Sequence, residues 1–189
     1  MQFDFESMTA VERYKILVST VVPRPIAWVT TITPEGVANA APYSFFNVMG
    51  NDPPIVVVGV QAHHENRLKD TGQNILATSE FVVHLVSEAT AEAMNVTCID
   101  APPGVDELRL AGLETVPSTK VKPPRIVASP VAFECKVHTA LTFSPHQANC
   151  HWPRRARACA GRIRPGCRAS LHRHAKNEIG RSDARYGCV

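Results

Sequence analysis

Five short strand-like segments, each bounded by Pro, Gly or polar breakers, set the tightest limit on what this chain can fold into. They cover residues 26–32, 37–43, 55–60, 81–86 and 131–137. Thr33-Pro34-Glu35-Gly36 follows the first, with Pro at the second turn position and Gly at the fourth. That is type I turn chemistry, so residues 37–43 are expected to return as a hairpin partner. Asn51-Asp52-Pro53-Pro54 breaks the chain before the third run. In the last run Val131, Phe133, Cys135 and Val137 alternate with Ala132, Glu134, Lys136 and His138. That period of two predicts a half-buried antiparallel strand. Only two short helices are expected. One spans 65–76, where Leu68, Ile75 and Leu76 can share a face, and one follows a Ser87 cap through Ala91, Met94 and Val96. The Pro-punctuated stretch 101–130 adds a single helical turn at 106–110. Many strands without a βαβ rhythm predict a mainly β, α+β domain built as a barrel.

A chain of 189 residues that is 44% hydrophobic and 20% charged can bury a core of its own. Those numbers exclude a disulfide-stapled mini-protein and a wholly disordered chain. Met1-Gln2-Phe3-Asp4-Phe5-Glu6 offers no basic-then-apolar leader, and the most apolar stretch, 54–60, is too short to cross a bilayer. Of six Cys, only Cys98 and Cys135 precede position 150, and no two have C-x-x-C spacing. The expectation is a cytoplasmic protein with reduced thiols, no membrane segment and no metal site.

The net charge of +3 hides a division. Residues 1–150 carry 10 Lys+Arg and 15 Asp+Glu, a balance of −5, whereas residues 151–189 carry 10 and 2, a balance of +8. The second part sustains neither a period of 2 nor one of 3.6. The expected organisation is therefore a domain over 1–149 and an atypical Arg/Cys-rich tail over 150–189.

No G-x-G-x-x-G, G-x-x-x-x-G-K-[ST] or G-x-S-x-G occurs. His63-His64-Glu65-Asn66-Arg67-Leu68 begins like a zinc-binding helix but lacks the second ligand, so the His pair reads as a solvated loop. Three segments hold the remaining candidates. In 22–31, Pro23 and Pro25 flank Arg24 ahead of a strand carrying Trp28, Val29, Thr30 and Thr31. This is either a Pro-guarded strand entry or a set of donors for a phosphorylated ligand. In 39–47, small Ala40 and Ala41 permit close approach, and Pro42 removes a ladder donor. Tyr43, Phe45 and Phe46 add aromatic surface, with Asn39, Ser44 and Asn47 supplying polar groups. That mixture suits a planar aromatic ligand with a polar tail, and equally an ordinary barrel core. Lys69-Asp70-Thr71 with Asn74 can meet a phosphate, or simply cap and brace a helix.

In their order and spacing these segments resemble the flavin reductase-like, FMN-binding split-barrel family. The resemblance spans residues 1 to about 148 and includes Glu80-Phe81-Val82-Val83, Asp106-Glu107-Leu108, Ala111-Gly112-Leu113 and Glu134-Cys135-Lys136. It implies a six-stranded antiparallel split barrel, usually dimeric, that binds FMN or less often FAD and takes hydride from NADH or NADPH. Reduced flavin would pass to a partner monooxygenase. It implies no catalytic side-chain acid or base, because the cofactor carries the chemistry. The cofactor-binding residues it implies are Arg24, Trp28, Val29, Thr30, Thr31, Asn39, Ala40, Ala41, Pro42, Tyr43, Ser44, Lys69, Asp70 and Thr71. His146 falls where some relatives carry a His near the nicotinamide.

Beyond 147–149 the resemblance implies an Ile/Val-rich strand that closes the barrel. Here the chain instead reads Cys150-His151-Trp152-Pro153-Arg154-Arg155-Ala156-Arg157, which is not expected to form it. The Arg, Ala, Gly, Pro, Cys and His bias is that of an out-of-register reading of a GC-rich gene, so the expectation is a frameshift near codon 150 or a disordered tail. Two further readings stand beside a flavin reductase. One is an FMN-binding electron-transfer module without NAD(P)H turnover. The other takes the tail as a nucleic-acid arm, which the shortage of aromatics (Trp152 and Tyr186) makes the weakest.

Overall fold

The computed structural model describes residues 2–61, 68–102, 104–143 and 156–163. The expected hairpin forms from β1 (Ala27–Ile32) and β2 (Ala38–Tyr43), paired Ala27 to Tyr43 through Ile32 to Ala38. Its turn closes through Gly36 N–H to Thr33 O at 3.0 Å, with Gly36 at φ 95°, a conformation that only glycine adopts without strain. Two residues after Tyr43 the chain enters β3 (Phe46–Asn51), which pairs with β4 (Pro54–Val60). After α2 (Asp70–Thr78) come β5 (Glu80–Leu85), a 3₁₀ turn (Glu88–Thr90), α3 (Ala91–Val96) and α4 (Glu107–Leu110). The short pair β6 (Thr115–Val116) and β7 (Arg125–Ile126) precedes β8 (Ala132–Phe143) and β9 (Ala156–Ile163).

The main sheet has seven antiparallel strands, one more than the resemblance implies, in the order β2-β1-β5-β8-β9-β4-β3. Its edge strands β2 and β3 are consecutive in sequence and only Ser44 and Phe45 separate them. Both edges must therefore meet at that corner, which rolls the sheet into a barrel split between β2 and β3. The corner is pinned by Gly59 N–H to Phe45 O at 2.6 Å. A Cβ on Gly59 would lie 3.0 Å from Phe45 Cβ, so glycine permits this approach.

β1 is buried on both faces and separates two cores. Ala27 and Val29 pack with Tyr43, Phe46, Val56, Val58, Val60, Ile75 and Phe81, so the inner core is closed by α2. Trp28 packs with Ala40, Met94, Leu108 and Ile126, so α3, α4 and β7 cover the outer face. Each fully buried large side chain contributes about 1.5–3 kcal/mol.

Two features depart from expectation. The outward face of β8 is not solvated at Glu134. The 117–124 loop covers it, and the carboxylate, 1% exposed, accepts from Thr119 N–H at 3.0 Å and Lys120 N–H at 2.6 Å. The segment after 150 was expected not to supply the closing strand. Its backbone nevertheless forms β9, hydrogen-bonded to β4 on one side and β8 on the other. The backbone ladder is indifferent to side-chain identity, so a chain poor in β-formers can still occupy the gap between two unpaired neighbours. The expectations for His63, His64, His146, residues 150–155 and residues 164–189 lie outside the described residues.

An unforeseen helix, α1 (Ala10–Thr20), opens the chain with a reciprocal Thr9/Glu12 capping box and buries none of its residues. It touches the barrel through Tyr14 against Phe45, ring centroids 6.1 Å apart. No helix of the described residues is long and apolar enough to cross a membrane.

Candidate functional site

Where β2 runs past the start of α2, the sequence puts Asn39, Ala41, Pro42 and Tyr43 opposite Lys69, Asp70 and Thr71. They line one cavity of about 120 Å³, completed by Thr97 to Ala101 and by Glu107 of α4. Behind it runs a buried chain of hydrogen bonds. Asn74 Nδ2 donates to Thr31 Oγ1 at 3.0 Å, and Thr31 Oγ1 donates to Asn39 Oδ1 at 3.1 Å. Thr71 Oγ1 also donates to Asn39 Oδ1, at 2.8 Å. On the other side Asn39 Nδ2 and Ala40 N–H both donate to Glu107 Oε2, at 3.0 and 3.1 Å.

The Tyr43 hydroxyl is buried and has no hydrogen-bond partner among the described residues. Burial pushes its pKa up to about 12; the neighbouring Thr71 hydroxyl opposes the shift, while Glu107 and Asp70 add to it. At neutral pH it keeps its proton and can donate to the neighbouring Thr71 hydroxyl, though not in good geometry. Burial also raises the Glu107 carboxyl, against its hydrogen bonds from backbone and Asn39 and with help from Asp70. The Cys98 thiol is raised by burial too, Lys69 acting against it. The N-terminus of α2 adds main-chain donors: its cap residue, Lys69, makes no side-chain capping bond.

The chain matches the flavin reductase like domain over residues 18–169. It belongs to that family. The match crosses residue 150 and so includes β9. An uncharacterized protein of Aquifex aeolicus is 45% identical over 138 residues, 73% of this chain and 70% of that protein. Nitrilotriacetate monooxygenase component B from Bacillus cereus superposes with a TM-score of 0.83 at 30% identity, covering 94% of this chain and 84% of that one. The 2-nitrobenzoate 2-nitroreductase of Pseudomonas fluorescens superposes with a TM-score of 0.73 at 34% identity, covering 87% and 75%. A putative flavin reductase with a split barrel domain from Shewanella frigidimarina, at 16% identity and TM-score 0.73, shares the fold. Split-barrel architecture and flavin reductase kinship thus agree with the rolled seven-stranded sheet.

Seven of the fourteen residues singled out from the sequence line the cavity: Asn39, Ala41, Pro42, Tyr43, Lys69, Asp70 and Thr71. Thr31 and Ala40 stand directly behind, joined through Asn39 and Glu107. The others are elsewhere. Trp28 is fully buried with its indole N–H on Thr97 Oγ1 at 2.9 Å, Val29 lies in the inner core, and Thr30 donates to Pro124 O at 2.6 Å. Arg24 caps the end of α1, donating to Val18 O at 2.7 Å and Val21 O at 2.6 Å, and it also meets Ser44 Oγ at 3.3 Å.

Glu107, Thr97, Cys98 and Asp100 were not singled out as site residues. Their sequence offers no local pattern, since they reach the cavity only when α3 and α4 fold over β2. The donors on this wall that could hold the polar end of a flavin nucleotide are the Tyr43 phenol, the Lys69 ammonium and helix amides, beside the Asp70, Asp100 and Glu107 carboxylates. A whole flavin exceeds the cavity, because pockets that enclose ligands of that size measure about 300–1,000 Å³. The cavity can hold one end only.

Proposed function

We propose that the protein is an NAD(P)H-dependent flavin reductase that binds FMN as a homodimer and supplies reduced flavin to a partner monooxygenase. The observation that carries this reading is the convergence of β2 residues and the start of α2 on a polar cavity whose buried Tyr43 hydroxyl makes no well-formed hydrogen bond among the described residues. Lys69 and the first-turn amides of α2 would hold the phosphate, Tyr43 would donate to the ribityl chain, and small Ala41 would let the ring lie against β2. Bound flavin supplies the hydride-accepting centre. The chain's own residues bind, orient and exclude water; none near the cavity is needed as an acid or base for hydride transfer.

The dimer is supported by what α1 leaves uncovered. Val11, Tyr14 and Leu17 on it, with Val21 and Val22 beyond, are 43–63% exposed. A second subunit over that surface would bury these apolar side chains. The relationship to a monooxygenase component supports an oxygenase partner, and the relationship to a nitroreductase supports a nitroarene as an alternative electron acceptor.

Steady-state oxidation of NADH and NADPH by the purified full chain, with FMN, FAD or 2-nitrobenzoate as acceptor, tests the reading. Turnover with free FMN or FAD supports a flavin reductase. Turnover that requires the nitroarene moves the assignment to nitroreduction. A flavin-loaded chain that oxidises neither nicotinamide is an electron-transfer module, and the reductase reading falls.

A further inference from the structure

Glu107 is only 5% exposed, on a helix of four residues that Leu108 already anchors in the outer core. A buried carboxylate costs stability unless its bonds recover the loss, and a second apolar residue would have docked α4 at no such cost. Its contacts show what it does instead. One oxygen takes both Asn39 Nδ2 and Ala40 N–H, while Asn39 Oδ1 takes the Thr31 and Thr71 hydroxyls. The two hydroxyls can turn to donate or accept. An ionised carboxylate only accepts, so Glu107 alone forbids the flipped Asn39 amide.

We propose that Glu107 is a positioning residue for the flavin: it fixes the Asn39 amide, and through it the hydrogen-bonding sense of the cavity wall. With the amide fixed, the Thr71 proton is committed to Asn39 and its oxygen is left as an acceptor. Tyr43 remains as the donor. The two are neighbours, so Tyr43 can donate to Thr71, and the sense of that wall follows from Asn39. This rests on the flavin reading above.

Equilibrium titration of the full chain with FMN, followed by flavin fluorescence, tests the role when each variant's Tm is measured alongside. Glu107→Ala leaves two buried donors unpaired and is expected to weaken FMN binding by about 10-fold or more. Glu107→Gln, whose carbonyl oxygen can accept both donors, stays within about 3-fold of the unaltered protein. Asn39→Asp sets two carboxylates face to face and loses about 10-fold; combined with Glu107→Gln, which removes one of the two charges while its carbonyl oxygen keeps the Ala40 N–H, it regains part of that loss. Leu108→Ala lowers Tm and leaves the FMN affinity unchanged, which separates docking of α4 from positioning of Asn39. The role is overturned if Glu107→Ala binds FMN as the unaltered protein does, or if the double variant shows the sum of its single losses. Should Glu107→Ala fail to fold, the Asn39→Asp pair still decides. An unaltered protein that binds no FMN overturns the functional reading and this role with it; normal binding with an indifferent residue 107 overturns only the role.

Discussion

His84 has no exposed surface, yet it is a titratable residue between two strands. Its Nδ1 meets Trp28 O at 3.0 Å and its Nε2 accepts Ile126 N–H at 3.0 Å, so the neutral ring with its proton on Nδ1 satisfies both. Protonation would put a second proton against the Ile126 amide. Burial lowers the pKa to about 4, the Trp28 carbonyl opposing and Arg125 assisting. Because the folded value lies below the unfolded one, the unfolded chain binds more protons at intermediate pH. Stability from this residue is complete above about 6.5 and is lost as pH falls toward 4, a drop of about 3 kcal/mol. Urea unfolding at pH 7 and 4.5 should show the loss, and His84→Gln should remove most of the pH-dependent part. Equal slopes in both proteins would assign the pH dependence to other groups.

At the scale of elements, the 117–124 loop is held to β8 by a single side chain. Glu134 takes main-chain N–H groups from Thr119 and Lys120 and lies 3.6 Å from the Arg125 guanidinium. Glu134→Ala would strip those amides of their acceptor and should cost about 3 kcal/mol in urea unfolding, with new proteolytic cleavage inside 117–124. An unchanged midpoint would mean that the packing of Val121, 8% exposed, with the bonds of Lys122 N–H to Glu80 and of Thr30 to Pro124 O, holds the loop without Glu134. This burial was invisible in the sequence, where Glu134 sits on the polar side of a clean alternation; only the tertiary cover reverses its environment. Most strands were legible, because β1, β4 and β5 carry dense β-branched runs between breakers and the Thr33–Gly36 turn returns the chain as β2. β3 was not, since Phe46-Asn47-Val48-Met49-Gly50-Asn51 mixes polar and apolar residues and shifts register between Val48 and Gly50. α1 was missed although Val11, Tyr14, Leu17 and Val18 recur at helical spacing, because that apolar stripe is left largely exposed and covers no core. Within the site, the β2 residues and the Lys69–Thr71 turn were legible as local segments. Arg24 has the composition of an anion ligand and the position of a helix cap.

For the whole molecule, the order β2-β1-β5-β8-β9-β4-β3 makes β9 the link between the two halves of the barrel. A chain ended after Asn149 would leave β4 and β8 each with a bare edge, and it should aggregate or lose its cooperative transition. A monomeric, cooperatively folded 1–149 fragment would instead show that the two halves close without β9. The proposed activity rests on a flavin held by the closed barrel. Its most direct test is anaerobic mixing of the FMN-loaded full chain with NADH or NADPH, followed through the visible absorption of the flavin. Bleaching of the bound flavin with matching loss of reduced nicotinamide is the predicted result; a bound flavin that stays oxidised with both nicotinamides would contradict it.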